Sequence, residues 1–234
     1  RGQPLAAPPE RLHYATTVLR LKSGARCHVF DGHGNEFEAT LEVTGRRSGF
    51  FHLGERAAAP THPRVPIQLL QGVARGDHMD LAIQKAVELG VQSIRPVLCE
   101  RSRSAAGHKG LEKRQRHWRG ILQAAAEQCG RNELPDLLAV AAPRQALDSA
   151  PPGHRLLADH GAPPLQAAIE HADAPAQSVA LLVGPEGGLT PAERDMARAE
   201  GFRGVGIGPR TLRTETAAIT LIALVQARLG DLQV

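Results

Sequence analysis

Two short stretches hold the residues best placed to do chemistry: Leu181-Leu182-Val183-Gly184-Pro185-Glu186-Gly187-Gly188-Leu189-Thr190 and, one helix's worth of chain later, Gly206-Ile207-Gly208-Pro209-Arg210-Thr211-Leu212-Arg213-Thr214-Glu215-Thr216-Ala217. Each is an apolar run ending in glycines and a proline. That is the pattern of a buried strand delivering a tight loop to one edge of a sheet, where ligands of open α/β sheets sit. Two such loops can face one pocket. Glycine permits close backbone approach to a ligand, while Pro185 and Pro209 stiffen the loops around it. Neither loop has the GxGxxG spacing of a dinucleotide fold or the GxxxxGK[ST] spacing of a phosphate loop, which argues against ordinary nucleotide binding.

Seven cations, Arg101, Arg103, Lys109, Lys113, Arg114, Arg116 and Arg119, lie in one short segment whose only carboxylate is Glu112. Such a density suits a polyanion, and the planar guanidinium fork suits phosphate; a solvated loop and helix face is the plainer alternative. Trp118, inside the cluster, is read as a packing anchor ahead of a base-stacking platform. Further on, Ala124-Ala125-Ala126-Glu127-Gln128-Cys129-Gly130-Arg131-Asn132 brings polar groups to a helix end, either as a site or simply as a capped terminus.

The elements that must position these groups fall into two patterns. From Arg11 to Leu53 short apolar stretches alternate with glycine turns, predicting strands at Tyr14 to Leu21, Ala25 to Phe30, Phe37 to Val43 and Gly49 to Leu53, with a turn at Asp31 to Asn35. Glu55 to Pro66, with three prolines, reads as a linker. From Val65 onward strands and helices alternate. Strands are predicted at Val65 to Leu70, Val91 to Leu98, Arg155 to Ala158, Val179 to Val183 and Gly204 to Ile207. Helices are predicted at Asp77 to Leu89, Leu111 to Cys129, Pro191 to Glu200 and Thr214 to Leu229, with Ala139 to Pro152 a surface connection. This alternation predicts a mainly parallel sheet covered on both faces. Thr214 is read as the cap of the last helix, with Glu215 offsetting its dipole.

The chain has 234 residues, a formal charge of +4 and 42% hydrophobic residues, but only five Phe and one Trp, so Leu, Val, Ile and Ala must form the core. The basic balance is compatible with nucleic acid without requiring it. Cys27, Cys99 and Cys129 are odd in number and lack CxxC spacing, so all three are read as buried thiols and no metal is expected. With no apolar run of spanning length and no leader-like segment, no membrane contact and a cytoplasmic location are expected.

Five ordered blocks carry a resemblance: Lys85-Ala86-Val87-Glu88-Leu89-Gly90-Val91 with Ile94 and Pro96; Arg101-Ser102; Glu127-Gln128-Cys129-Gly130-Arg131; Val183 to Gly188; and Gly208 to Ala217. Together they resemble the bacterial uracil-N3 methyltransferases of small-subunit (16S) ribosomal RNA, members of the SPOUT superfamily of knotted S-adenosylmethionine-dependent methyltransferases. Arg11 with His13, Val18-Leu19-Arg20 and Phe30-Asp31-Gly32 with Gly34 extend the similarity over nearly the whole chain. The chain departs from the family pattern at Gly208-Pro209, where Leu-Gly is common, and at His13-Tyr14, where two histidines are.

The resemblance implies an α/β fold with a PUA-like β-barrel RNA-binding domain over 1–60 and a trefoil-knotted methyltransferase domain over 61–234, in a homodimer. General rules of chain topology would have excluded the knot. It implies S-adenosylmethionine as cofactor, in contact with Leu182, Gly184, Glu186, Gly187, Ile207, Gly208, Leu212, Arg213, Thr214, Glu215, Thr216 and Ala217. The implied reaction is methyl transfer to N3 of one uridine in 16S ribosomal RNA, free or within the small subunit. Glu215 is the candidate base or substrate orienter, and Arg213 and Arg131 the candidates for stabilising charge. Arg11, Arg20, Lys22 and Arg26, with the basic segment from Arg101 to Arg119, are the candidate RNA contacts. A non-catalytic assembly protein and a ribose 2′-O-methyltransferase are the alternatives.

Overall fold

The computed structural model describes residues 4–57, 64–102, 108–170 and 178–232, the side chains of 108, 109 and 170 excepted. The chain divides into two compact units, Arg1–Thr61 with Arg131–Leu134, and His62–Gly130 with Pro135–Val234.

In the first unit β1 (Leu5–Ala6) is followed by α1 (Pro9–His13), a π-helical turn (Tyr14–Val18), β2 (Arg26–Phe30), β3 (Glu36–Gly45) and β4 (Ser48–Arg56). The strands form an antiparallel sheet in the order β1-β4-β3-β2. The strand predicted at Tyr14 to Leu21 is therefore helical over most of its length. Its β-branched residues pointed the other way, but Pro9 starts a helix well because its missing N–H has no helical partner to lose. Leu12 and Ala15, three apart, are buried on one face against Ala39, Leu41 and Phe51. The turn at Asp31 to Asn35 forms as expected: Asp31 Oδ1 accepts from the N–H groups of His33 and Asn35, and Oδ2 from the Asn35 amide. Those bonds, the Asn35 side chain first, hold the Asp31 carboxyl below its usual range. Arg131–Leu134, assigned to the second domain from sequence, belongs to this unit. Gly34 N–H donates to the Asn132 carbonyl, Leu134 N–H to that of Gly32, and the Asn132 amide to Glu36.

The second unit begins with β5 (Ile67–Gly72), α2 (Gly76–Glu88), β6 (Ser93–Val97), α3 (His108–Cys129), β7 (Asp136–Leu137) and α4 (Pro143–Asp148). It continues with β8 (His154–Ala158), α5 (Leu165–Glu170), β9 (Val179–Val183), α6 (Pro191–Ala199), β10 (Arg203–Val205) and α7 (Thr214–Leu229). All six strands are parallel, in the order β10-β8-β9-β5-β6-β7. The central strands β9 and β5 are buried at every position, as both-face coverage requires. Helix α7 packs on β5, β8 and β9 and against α2, with Ala218, Leu221, Ile222 and Val225 buried. Helices α4 and α5 and the short β7 were not predicted; α4 lies where a surface connection was expected, started by Pro143. Of the proposed linker, Glu55 and Arg56 still belong to β4, and 58–63 lie outside the described residues. Among the described residues no helix is long and apolar enough to cross a membrane.

The thiols differ from the expectation of three buried cysteines: Cys99 is buried, Cys27 half-buried and Cys129 exposed. Burial, with Glu193 nearby, pushes the Cys99 thiol up to about 12. A thiol reagent under native conditions should label Cys129 first and Cys99 only as the protein unfolds, which peptide mapping after timed alkylation checks. The neutral-thiol contribution of Cys99 to stability is intact below about pH 8.5, the ordinary thiol value, and should be lost as pH rises toward 12.

Two glycines give a contrasting pair of stability predictions. At Gly72 a Cβ would strike the backbone of Pro185 and Gly184, whereas at Gly120, on α3, it would meet nothing within 4 Å. Gly72→Ala should lower stability by about 1–3 kcal/mol, and Gly120→Ala should raise it by about 0.5–1 kcal/mol. Urea unfolding of the two variants measures both.

Candidate active site

The C-terminal ends of β8, β9 and β10, neighbours in the sheet, open into a cavity of about 760 Å³, a volume suited to a small-molecule ligand. Both glycine loops line it. The first contributes Val183 to Glu186, Gly188 and Leu189; the second contributes Ile207, Gly208 and Arg210 to Glu215, with Ala217 beyond. Ala158, Asp159 and His160 come from the end of β8, His78 from α2 and Arg194 from α6.

Local bonds explain the rigidity of the walls. Thr214, the first residue of α7, donates its hydroxyl to the Gly184 carbonyl (2.6 Å) and accepts from Gln71 Nε2 (2.8 Å). It is not the helix cap, as the sequence suggested; Arg213 holds that position, without a side-chain cap bond. The Thr214 hydroxyl is instead occupied in joining β5, the first glycine loop and α7. The loop's Glu186 accepts from the Arg75 N–H (2.7 Å), and Arg101 donates to the Gly187 carbonyl (3.1 Å). Beyond it, Thr190 and Glu193 form a reciprocal capping box at the start of α6, and Glu193 also accepts from the Glu100 N–H.

Arg114 donates to the Ala74 carbonyl and stacks over buried Trp118, 4.9 Å from the ring centre. Burial pulls its pKa below the usual guanidinium value, with Asp80 and Glu186 opposing. Trp118 is thus a packing anchor. Of the remaining basic segment, Lys113, Arg116 and Arg119 are exposed along α3 at three-residue spacing, Arg103 lies outside the described residues, and so does the side chain of Lys109. In the first unit Arg20, Lys22 and Arg26 are exposed and Arg11 half-buried.

Glu215 is 5% exposed, with Oε1 3.0 Å from His78 Nδ1, and its buried Oε2 has no hydrogen-bond partner among the described residues. A buried carboxylate oxygen on a pocket wall calls for a donor from whatever the pocket holds.

Most of the expected cofactor contacts come together here: Gly184, Glu186, Ile207, Gly208, Leu212, Arg213, Thr214, Glu215 and Ala217. Leu182, Gly187 and Thr216 are not among the lining residues; Leu182 faces the core with Leu70 and Leu157, and its neighbour Val183 faces the cavity. Arg131 belongs to the first unit. The sequence reading missed His78, Asp159, His160 and Arg194. Asp159 and His160 directly follow a predicted strand, so the rule that ligands meet strand ends would have found them; nothing local marks His78.

The family model described as an RNA methyltransferase domain matches residues 61–226, and that of an RNA methyltransferase PUA domain matches 8–53. Proteins named ribosomal RNA small subunit methyltransferase E are similar over most of the chain. The Synechocystis protein is 32% identical over 94% of this chain and 71% of its own length, and the one from Buchnera aphidicola (Schizaphis graminum strain) is 30% identical over 94% and 89%. Among solved structures, a methyltransferase of Legionella pneumophila with bound SAM superposes with a TM-score of 0.91 at 32% identity, covering 99% of this chain and 94% of that one. A ribosomal RNA small subunit methyltransferase E of Neisseria gonorrhoeae bound to S-adenosylmethionine gives 0.88 at 33%, with the same coverage. The fold and site therefore define an RNA methyltransferase with an N-terminal PUA domain. The chain belongs to the family of the ribosomal RNA small subunit methyltransferases E, and the α/β class expected from the resemblance holds.

Thr214→Val should leave the Gly184 carbonyl and the Gln71 amide each short of a partner, lowering stability by about 1–3 kcal/mol, while Thr214→Ser should keep most of it. Denaturant titration of the two variants checks this.

Proposed function

We propose that this protein transfers the methyl group of S-adenosylmethionine to N3 of a uridine in small-subunit ribosomal RNA, acting in the cytoplasm as a homodimer. The observation that carries the reading is the cavity at the strand ends, walled by two glycine loops, in a chain closely similar to two structures that hold S-adenosylmethionine. The residues present fit that cofactor. Backbone groups of Gly184 and Gly208 offer donors and acceptors to an adenine edge, Ile207 and Leu212 offer apolar cover, and Glu215 Oε2 offers an open acceptor. When bound, the cofactor supplies a methyl group already activated on sulfonium.

What remains for the protein is alignment and the N3 proton. Arg213, on the cavity wall, is proposed to stabilise charge that spreads to the uracil oxygens. Glu215 acts at the proton, directly or through a neighbour. Lys113, Arg116 and Arg119 on α3, with Arg11, Arg20, Lys22 and Arg26 in the first unit, are proposed to grip RNA phosphates. The knotted path of the final segment is part of the same proposal. Apolar surface adds little support for the dimer, because Leu221, Ile222 and Val225 of α7 are buried in the unit's own core; Leu224 and Leu81 are the exposed large apolar side chains on α7 and α2.

Mass spectrometry of nucleosides from methylated ribosomal RNA should show N3-methyluridine; a ribose mark, or no mark and no cofactor binding by calorimetry, would overturn the reading. The triple variant Lys113→Ala, Arg116→Ala, Arg119→Ala should bind RNA more weakly, with a log–log salt slope smaller by about 2–3, and bind S-adenosylmethionine as before. Sedimentation of a fully active protein as a monomer would remove the dimer from the proposal.

A further inference from the structure

His78 and Glu215 form a close pair on the cavity wall. His78 stands in the first turn of α2 with Nδ1 3.0 Å from Glu215 Oε1; its side chain is 36% exposed, against 7% for Glu215. An ionised carboxylate has only acceptor sites, so an ion-pair contact at this distance favours the tautomer with its proton on Nδ1, which leaves the lone pair of the neutral imidazole on Nε2. Both residues line the cavity.

We infer that His78, oriented by Glu215, is the group that takes the N3 proton of the substrate base, and that Glu215 is its positioning partner; this rests on the reading of the site given above. Three facts favour the histidine over the carboxylate. First, Glu215 Oε1 is already engaged, and the residue is nearly closed off from solvent, whereas His78 reaches both the cavity and water. Second, proton transfer to a general base is most efficient when its basicity is matched to neutral pH, as that of imidazole is and that of an ordinary carboxylate is not. Third, a buried carboxylate beside a base stabilises the imidazolium once formed.

The other groups with acceptor atoms on the same wall are less suited. Asp159 is held by Arg198 at 3.1 Å, and Glu186 accepts from the Arg75 N–H. Asp80, on His78's own helix but not among the lining residues, is bonded to His117 of α3. His160 is the competitor, and the experiment includes it.

In the step itself His78 Nε2 receives the N3 proton. The electron pair of the N3–H bond becomes the new N–C bond, the pair of the C–S bond leaves with sulfur, and the imidazolium later releases its proton to water. Charge balances because the cation lost at sulfur reappears on His78, beside Glu215.

The test is single-turnover methylation of ribosomal RNA, with cofactor binding followed by calorimetry. His78→Ala should lower the rate by about 10²–10³ and leave the S-adenosylmethionine Kd within about threefold. Added imidazole should restore at least about tenfold of the lost rate, a rescue that a purely structural histidine would not show. Glu215→Gln should also slow the reaction, and imidazole should not rescue it. His78→Gln, which keeps a side-chain donor near Glu215, serves if the alanine variant fails to fold, and should be as slow. A wild-type rate in either His78 variant, loss without imidazole rescue in a folded His78→Ala, or loss and rescue in His160→Ala instead, overturns the inference while leaving the methyltransferase reading intact. Absence of N3-methyluridine from the wild-type reaction overturns both.

Discussion

The joint between the ends of β5 and β9 governs the second unit. Gly72 ends β5 with no side chain, so that the Gly184–Pro185 backbone can lie directly against it, and the Thr214 hydroxyl bonds across both strands. Gln71 is wholly buried at the end of β5, where its amide donates to the Thr214 hydroxyl. Once Thr214 is fixed, the next residue, Glu215, is carried into the cavity wall, and the first turn of α7 sets its distance from His78. The polar geometry of the cavity thus follows from one backbone contact that a methyl group would abolish.

A second layer of bonds holds the first glycine loop from outside. Arg101 reaches the Gly187 carbonyl, while Arg114, braced on Trp118, holds the Ala74 carbonyl next to the residue whose N–H meets Glu186. The basic segment therefore does two kinds of work. Arg101 and Arg114 use guanidinium donors within the unit, and Lys113, Arg116 and Arg119 keep theirs in solvent. A positive cluster in sequence is for this reason an upper bound on the cations offered to a polyanion.

Much of the second unit was legible because its signals are local: a continuous apolar run for β9, Gly90 at positive φ just beyond α2, and proline at the first position of α6. The π-helical turn at Tyr14–Val18 was misread as a strand because Thr16, Thr17 and Val18 favour strands, and only burial of Leu12 and Ala15 on one face overrides them. The two glycine loops announced the cavity. Its partners from α2 and α6 did not, since His78 and Arg194 reach it through the packing of helices far apart in sequence. Thr214 shows the same limit: its hydroxyl fits a cap by type, and a strand far away in the chain claims it.

The inclusion of Arg131–Leu134 in the first unit has a consequence for modularity. The PUA unit is not a segment that ends at the linker, because Gly32, Gly34 and Glu36 complete their bonding with residues a hundred positions downstream. A graft of the first unit onto another enzyme would therefore need two splice points, and trimming the chain at the linker would uncover Leu134 and strand its backbone partners. Any recombination that moves the antiparallel sheet must therefore carry residues 131–134 with it, although they lie far along the chain, directly after α3.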